Sequence, residues 1–366
     1  MNRYIRTGVR KKGLFMRILV AALMLLATAA APARAQVFGW VKPDHLNRKL
    51  HGCVVDFTKN QGADRRICSP ILGMPRDLYV YLPPGYDPSK SYPLVIFLHG
   101  ADIDEHAILD PRLIKPLDSM ICRGEVPPFV LAAPDGTYDG RNHISSTHSL
   151  WVNGNGGRFE DHIVNEIFPF MLQKYSIRPE REAHAMLGIS AGGFGAMSIA
   201  MKHRDLFGAV ATIAAPLNMR YNNVQERYND DFDPATYRER TEYDPDLIIS
   251  RYYFGLVRRR VKHFIEPVYG GGPDVIAKIA RDNPADLLTS TNLQPGELAL
   301  YVNYPGRDNY NFDAHDQSFA WLAAKRGVAV ELVEVPNGRH NLPYIDRAMP
   351  DALLWLGRYF ARPAPR

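Results

Sequence analysis

A glycine-rich hexapeptide at residues 188–193, GISAGG, constrains the fold of this 366-residue chain more than any other feature. It follows the apolar run AHAML and precedes the helix-forming stretch FGAMSIAMKH, so it predicts a strand, a tight turn and a helix in immediate succession. Glycines on both sides of Ser190 leave room for backbones that a Cβ would block. The turn is expected to lift the Ser190 hydroxyl off a sheet and to place it at the amino end of a helix, where amide groups favour negative charge.

Apolar, β-branched runs recur along the chain with helical patterns between them. The first runs follow one another closely, which favours an antiparallel edge, whereas strand and helix alternate from Leu94 onward, as is typical of a buried parallel sheet. We therefore predict an α/β fold with a mostly parallel central sheet, helices on both faces and an antiparallel N-terminal edge. The predicted strands are Gly52–Phe57, Leu78–Leu82, Leu94–Leu98, Phe129–Ala133, Ala185–Gly188, Ala209–Ile213, Leu298–Asn303 and Val328–Val335. The predicted helices include Phe159–Lys174, Gly193–Lys202, Asp313–Arg326 and Arg347–Phe360.

The N-terminal residues are typical of an export signal. A basic start is followed by the apolar run ILVAALMLLATAA at 18–30, which is short for a bilayer span, and Ala33-Arg34-Ala35 fits a small-x-small cleavage site before Gln36. We predict a signal peptide over residues 1–35 and a periplasmic or secreted mature chain without a membrane span. An uncleaved membrane anchor is the alternative.

The mature chain, residues 36–366, is predicted to form one domain with a helical excursion or cap at about 216–295, because a structureless loop of that length would be unusual. Seven of the 44 basic residues and none of the 39 acidic ones lie in residues 1–35, which leaves a net charge of −2 after cleavage. That balance gives no reason to expect nucleic acid as a partner.

Export would place the three cysteines in an oxidising compartment. Cys53 and Cys68 flank a short polar segment, so a disulfide between them is one of the three possible pairings. Cys122 would then be a free, buried thiol.

A serine at its ordinary pKa is a weak nucleophile, so a base and an orienting acid are needed. In nucleophile-elbow folds the partners follow in the order serine, acid, histidine. His340 stands directly after the apolar run VAVELVEV, whereas His315 falls inside a predicted helix and is expected at the surface. Asp308 follows the strand LALYVN, at the sheet edge where ligands meet open α/β sheets. Asp313 is the alternative acid, although its position favours an N-cap of the next helix.

Acyl transfer also needs two amide donors for the tetrahedral oxyanion. The expected donors are the backbone N–H groups of Ala191, next to the nucleophile, and Ala101, in the loop after the strand PLVIFL. His99 precedes Ala101, but no HExxH or other clustered ligand spacing accompanies it. We therefore expect His99 to be structural and expect neither a metal nor an organic cofactor.

The segments FLHG, APDG, FEDHIVNEIFPFMLQKY, AMLGISAGGFGAMSIAMKHRDLF, GRDNYNF and PNGRHNLPY resemble the putative-esterase (esterase D-like) family of α/β-hydrolases. That family includes feruloyl and acetyl-xylan esterases, S-formylglutathione hydrolases, siderophore esterases and mycolyltransferases. The resemblance covers about Arg76 to Phe360. It implies the α/β-hydrolase fold, a catalytic triad and an oxyanion hole, formed here by Ser190, Asp308, His340, Ala101 and Ala191. Many members carry the acid one residue further from the loop glycine, where this chain has Asn309, so Asp313 stays an alternative.

The expected activity is that of an exported serine esterase acting on a small-molecule or carbohydrate-linked ester. Trp151 and Asn153, in the loop SLWVNGNGG, are candidates for lining the acyl or alcohol pocket, with a packing or turn role as the alternative. An acyltransferase with a sugar or alcohol acceptor would carry the same elbow. A non-catalytic binding module is disfavoured, because all three triad roles are filled in the expected order. Export favours cell-wall acyl groups, siderophores, short-chain lipids or acylated sugars over S-formylglutathione as substrates.

Overall fold

The short apolar runs of this chain form the eight strands of one central sheet. The computed structural model describes residues 41–140, 148–252 and 257–362. The strands are β1 (Cys53–Phe57), β2 (Leu78–Leu82), β3 (Leu94–Leu98), β4 (Val130–Pro134), β5 (His184–Ile189), β6 (Ala209–Ile213), β7 (Ala299–Pro305) and β8 (Val330–Val335). Their spatial order is β1-β2-β4-β3-β5-β6-β7-β8. β2 is antiparallel to β1 and β4, and every other neighbouring pair is parallel. The predicted sheet is therefore confirmed, and all eight strands lie within two residues of their predicted bounds.

Helices cover both faces of the sheet, so its central strands are buried throughout. On one face, Ile96 of β3 packs in one cluster with a methionine, Met197, and a phenylalanine, Phe319, of two covering helices. On the other face, Tyr301 of β7 packs against Trp355, with ring centroids 5.3 Å apart. This two-sided burial explains why the central strands are continuous apolar runs rather than alternating ones.

Ten α-helical segments accompany the sheet within the described residues. They are α1 (Pro43–Asn47), α2 (Pro111–Cys122), α3 (Phe159–His162), α4 (Phe168–Lys174), α5 (Ala191–Lys202), α6 (Lys262–Tyr269), α7 (Val275–Ala280), α8 (Pro284–Ser290), α9 (Phe312–Lys325) and α10 (Leu342–Phe360). A π turn at Ile163–Ile167 interrupts the helix predicted over Phe159–Lys174. α10 begins five residues before the predicted Arg347, because the side chain of Asn341 caps it by accepting from the Tyr344 N–H.

The segment 216–295 differs from the predicted helical excursion. Only its second half is helical, in α6, α7 and α8. Its first half forms two antiparallel pairs, Tyr221–Asn223 with Tyr237–Glu239 and Ile248–Tyr252 with Val257–Arg260. Asp233 reverses the chain in the first pair, since its side chain accepts from the Ala235 N–H at 2.9 Å across a proline.

The predictions of a signal peptide and of the state of the three cysteines have different outcomes. The predicted signal peptide, residues 1–35, lies outside the described residues. No helix within the described ranges has both the length and the apolar character needed to cross a membrane. All three cysteines are free, so the Cys53–Cys68 disulfide is not formed here. The expected burial of Cys122 is wrong, because this residue ends α2 and is exposed.

Candidate active site

The turn after β5 holds Ser190 in a conformation that few residues adopt. Ser190 has φ 55° and ψ −121°, and its N–H donates to the Ile213 carbonyl at 2.8 Å, which ties the turn to β6. α5 begins at the next residue. A Cβ on Gly192 would lie 2.0 Å from the Leu98 carbonyl oxygen, so only glycine lets α5 approach β3 this closely. The result is a strained turn that presents the hydroxyl at the middle of the sheet edge.

The loops after β7 and β8 bring an aspartate and a histidine to this hydroxyl. The Ser190 hydroxyl lies 3.0 Å from His340 Nε2, and His340 Nδ1 lies 2.8 Å from Asp308 Oδ2. The Asp308 side chain is fully buried, and its other oxygen accepts from the Tyr310 N–H at 2.7 Å. These distances allow His340 to take the serine proton while Asp308 holds the imidazole in the required tautomer.

Asp313, the alternative acid, lies elsewhere. α9 begins at Phe312 with Asn311 as its N-cap, so Asp313 sits within the first turn and is not the expected cap. Its Oδ1 has no hydrogen-bond partner among the described residues. Burial, and then the charge of Asp308, raise the pKa of Asp313 to about 6. The structure therefore places Asp308, and not Asp313, in the orienting position.

Aromatic rings enclose the imidazole of His340. The rings of Tyr310 and Phe312 stand edge-on to it, at centroid distances of 5.1 and 5.4 Å. His315 packs behind Phe312 at 5.3 Å. The expectation that His315 lies at the surface is wrong: it is only 2% exposed, because this face of α9 turns toward the interior of the protein.

The loop after β3 lies against Ser190, as the predicted oxyanion hole requires. A Cβ on Gly100 would come within 3.3 Å of the Ser190 Cβ, and Ala101, Ser190 and Ala191 line the same cavity. Among the described residues, no backbone acceptor takes a hydrogen bond from the N–H of Ala101 or Ala191. Both amides are therefore free to donate to a developing oxyanion.

His99 holds this loop in place through hydrogen bonds of both ring nitrogens. Its Nδ1–H donates to the Gly100 carbonyl at 2.9 Å, and its Nε2 accepts from the Gly136 N–H at 2.9 Å. Burial lowers the pKa of His99, which suits the neutral ring that this pattern requires. With both ring nitrogens occupied, His99 has a structural role.

Trp151 and Asn153 do not line the cavity, so their proposed pocket role is corrected. The φ of Trp151 is 61°, which turns its indole inward, where Nε1–H donates to the His99 carbonyl at 3.1 Å. The exposed Asn153 side chain instead donates to Asp161 at 2.9 Å. The same loop contributes His148 and Leu150 to the cavity wall.

The cavity at Ser190 has a volume of about 1050 Å³, including its open mouth. More than half of the lining residues come from the segment 216–295, and most are apolar. None of the lining residues from this segment was predicted individually from the sequence. The available signal was the i, i+3, i+4 spacing of Val261, Phe264 and Ile265, which predicts one apolar helix face without saying what it covers.

Among the described residues, two groups of side chains have metal-binding atoms that lie within 4.8 Å of one another. They are His51–Asp118–Cys122 and Asp104–Glu105–His106. In the first, Asp118 already accepts from two backbone amides and a tyrosine hydroxyl. In the second, Glu105 accepts from the Asn60 side chain at 2.8 Å. None of the six residues lines the cavity, so neither group is assigned to the site.

The strand order, the elbow and the loops that carry its partners define an α/β-hydrolase. A ferulic acid esterase of known structure aligns with a TM-score of 0.59 at 18% identity, over 85% of this chain and 100% of that one. An S-formylglutathione hydrolase from Agrobacterium tumefaciens aligns with a TM-score of 0.57 at 15% identity, over 85% of this chain and 97% of that one. At such identities the likeness shows the fold.

Within that class, residues 69–245 match the family model described as putative esterase, which confirms the resemblance to that family. Endo-1,4-beta-xylanase Y of Acetivibrio thermocellus is 32% identical over 130 residues, covering 34% of this chain and 11% of the relative. An esterase of Mycobacterium tuberculosis is 26% identical over 157 residues, covering 42% of this chain and 32% of the relative. The chain thus matches less than a third of the length of each of these relatives.

Proposed function

We propose that this protein is a serine esterase that cleaves a carboxylic ester through an acyl-enzyme on Ser190. The observation that carries the proposal is the continuous hydrogen-bond chain from Asp308 through His340 to the Ser190 hydroxyl. Among the described residues, two backbone amides without an acceptor line the same cavity as that hydroxyl. The family match and the esterase relatives support the same reaction class.

In the proposed mechanism, His340 Nε2 takes the Ser190 proton as Oγ attacks the ester carbonyl. The amides of Ala101 and Ala191 donate to the oxyanion, and Asp308 stabilises the imidazolium through Nδ1–H. His340 then returns the proton to the leaving alcohol. Water repeats the sequence on the acyl-serine, which releases the acid and restores the hydroxyl.

Ser190→Ala should lower hydrolysis of p-nitrophenyl acetate, butyrate and octanoate by roughly 10⁴-fold or more, because no other group can form the acyl-enzyme. Ser198→Ala is a matched control, since Ser198 is buried in the same helix α5 and should be dispensable. A fluorophosphonate probe should label the wild type and the control but not Ser190→Ala. A fully active Ser190→Ala variant would overturn the proposal.

The same experiment separates the two remaining interpretations of the site. Probe labelling without hydrolysis, followed by acyl transfer to an added sugar or alcohol, would identify an acyltransferase. A folded protein that neither hydrolyses these esters nor reacts with the probe would identify a non-catalytic binding module.

We further propose that the protein acts outside the cytoplasm on a small-molecule or carbohydrate-linked ester. The support is the leader-like pattern at residues 1–35 and the presence of a xylanase and a ferulic acid esterase among the similar proteins. The names of these two proteins refer to xylan and to esters of ferulic acid.

A further inference from the structure

Arg240 is a cation in the wall of the cavity that holds Ser190. It is half-buried and follows the short strand Tyr237–Glu239. Its guanidinium donates to the Asn222 side chain at 3.3 Å, and no described carboxylate forms an ion pair with it. A neighbouring arginine of the same segment, Arg220, is by contrast paired with two carboxylates.

The acidic residues near the cavity do not compensate this charge. Asp102 is paired with Arg259 at 3.3 Å. Asp244 is exposed and accepts from the Asp246 N–H at 2.9 Å. The carboxylates of Asp244 and of the exposed Glu226 act on Arg240 only from beyond ion-pair distance. An arginine stays protonated even when burial disfavours its charge, so this wall keeps a cation without a close counter-ion.

A second polar group in the same wall also lacks a partner. His315 lines the cavity, is 2% exposed, and finds no hydrogen-bond partner for either ring nitrogen among the described residues. Burial, and then the charge of Arg240, lower the pKa of His315 to about 3. The ring is therefore neutral, with one N–H free to donate. A buried polar group without a partner is costly, so such a group in a cavity wall points to a ligand atom.

We infer that Arg240, together with His315, forms a subsite for an anionic group carried by the ester substrate. A guanidinium matches a carboxylate or phosphate with two parallel hydrogen bonds, and the imidazole supplies a third donor. The apolar side chains that line the same cavity would hold the uncharged part of the substrate. The inference rests on the proposed function, because it names the class of ester that the site cleaves: one with an anionic group on its acid part or its alcohol part.

Two matched pairs of esters test this inference. They also distinguish an anionic group on the acid part of the ester from one on the alcohol part. The first pair is the p-nitrophenyl monoester of suberic acid and the same ester with a carboxamide in place of the free carboxylate. The second pair is the butyrate ester of p-hydroxybenzoic acid and that of p-hydroxybenzamide. In at least one pair the wild type should prefer the carboxylate, in kcat/KM, by about tenfold to hundredfold, as expected for a charge-assisted hydrogen bond.

Arg240→Gln should remove that preference, because kcat/KM should fall more for the carboxylate than for the carboxamide. Circular dichroism and the midpoint of thermal unfolding show that the variant folds. Arg240→Lys should keep part of the carboxylate preference, because the positive charge remains but the planar guanidinium group is lost. His315→Phe keeps a ring among its aromatic neighbours and should weaken the preference in the same direction. Arg238→Gln is the matched control, since Arg238 is exposed two residues away.

Loss of the carboxylate preference in Arg240→Gln but not in Arg238→Gln supports the subsite, and the pair that shows it places the anion. Full retention of the preference in Arg240→Gln, or equal wild-type kcat/KM for carboxylate and carboxamide in both pairs, overturns it while leaving the esterase proposal intact. No turnover of any of the four esters, in a protein that also fails to react with a fluorophosphonate, would mean that the proposed function itself is wrong.

Discussion

Asp308 and Asp313 are five residues apart in one loop and helix start, yet only Asp308 contacts His340. Asp308→Asn should lower kcat for p-nitrophenyl butyrate by roughly 10³- to 10⁴-fold, because an amide favours the wrong imidazole tautomer. Asp313→Asn should stay within about threefold of wild type, since Asp313 touches neither Ser190 nor His340. The reverse order of the two variants would move the orienting acid to Asp313.

A buried ion pair holds the loop that contains Gly136, which contacts His99 beneath the predicted oxyanion hole. Arg76 and Asp135 are fully buried and lie 2.7 Å apart, and the same guanidinium donates to the Asp135 and Thr137 carbonyls. Gly136, between those two residues, donates to His99. Arg76 therefore differs from Arg240. The charge of Arg76 is paired with Asp135 inside the protein, whereas Arg240 lines the cavity.

At the element scale, α5 must approach β3 closely for the elbow to form. Gly192→Ala would place a Cβ 2.0 Å from one carbonyl oxygen of β3 and 2.4 Å from the next. We expect the free energy of unfolding to fall by about 3 kcal/mol or more, because backbone atoms on both sides cannot give way. Urea denaturation of the variant measures this loss.

Gly271→Ala is the control for that experiment. Its added Cβ would lie 3.8 Å from the nearest atom, a carboxylate oxygen of Glu266, and would not require a left-handed backbone. The stability of this variant should therefore match wild type within about 0.5 kcal/mol. Equal midpoints for Gly192→Ala and wild type would show that the elbow tolerates a wider spacing between α5 and β3.

The predicted helices and strands are confirmed where the local pattern of apolar residues decides the structure. The strands are continuous apolar runs, and periodicity located them to within two residues. The prediction for segment 216–295 failed because its hairpins and short helices depend on what they cover. Met219, Phe264 and Ile265 line the cavity, and their spacing along the chain does not say what they face.

At the scale of the whole molecule, we propose that residues 1–35 are a leader whose removal sets the net charge and the destination of the chain. If the full sequence is expressed in a Gram-negative bacterial host, the periplasm or medium should contain a chain that begins at Gln36, as intact-mass measurement would show. Its net charge would be −2 in place of +5. Ala35→Asp should block cleavage, because the small side chain before the cleavage point is lost.

A wild-type chain that keeps residues 1–35 and stays in the membrane fraction would contradict this expectation and would identify the leader as an anchor. Esterase activity of the chain from Gln36 onward would be the accompanying control, since the sheet and the site lie entirely after Lys42.

The sequence by itself determined the sheet, the elbow and the order of serine, acid and histidine, because these follow from periodicity, from glycine spacing and from chain order, which are local properties. Only the tertiary structure decided that Asp308 rather than Asp313 meets His340 and that Trp151 packs beneath His99. It also decided that Arg240, in the cavity wall, has no close counter-ion among the described residues. Those outcomes depend on which surfaces come into contact when distant segments fold together, and the spacing of residues along the chain does not specify those contacts.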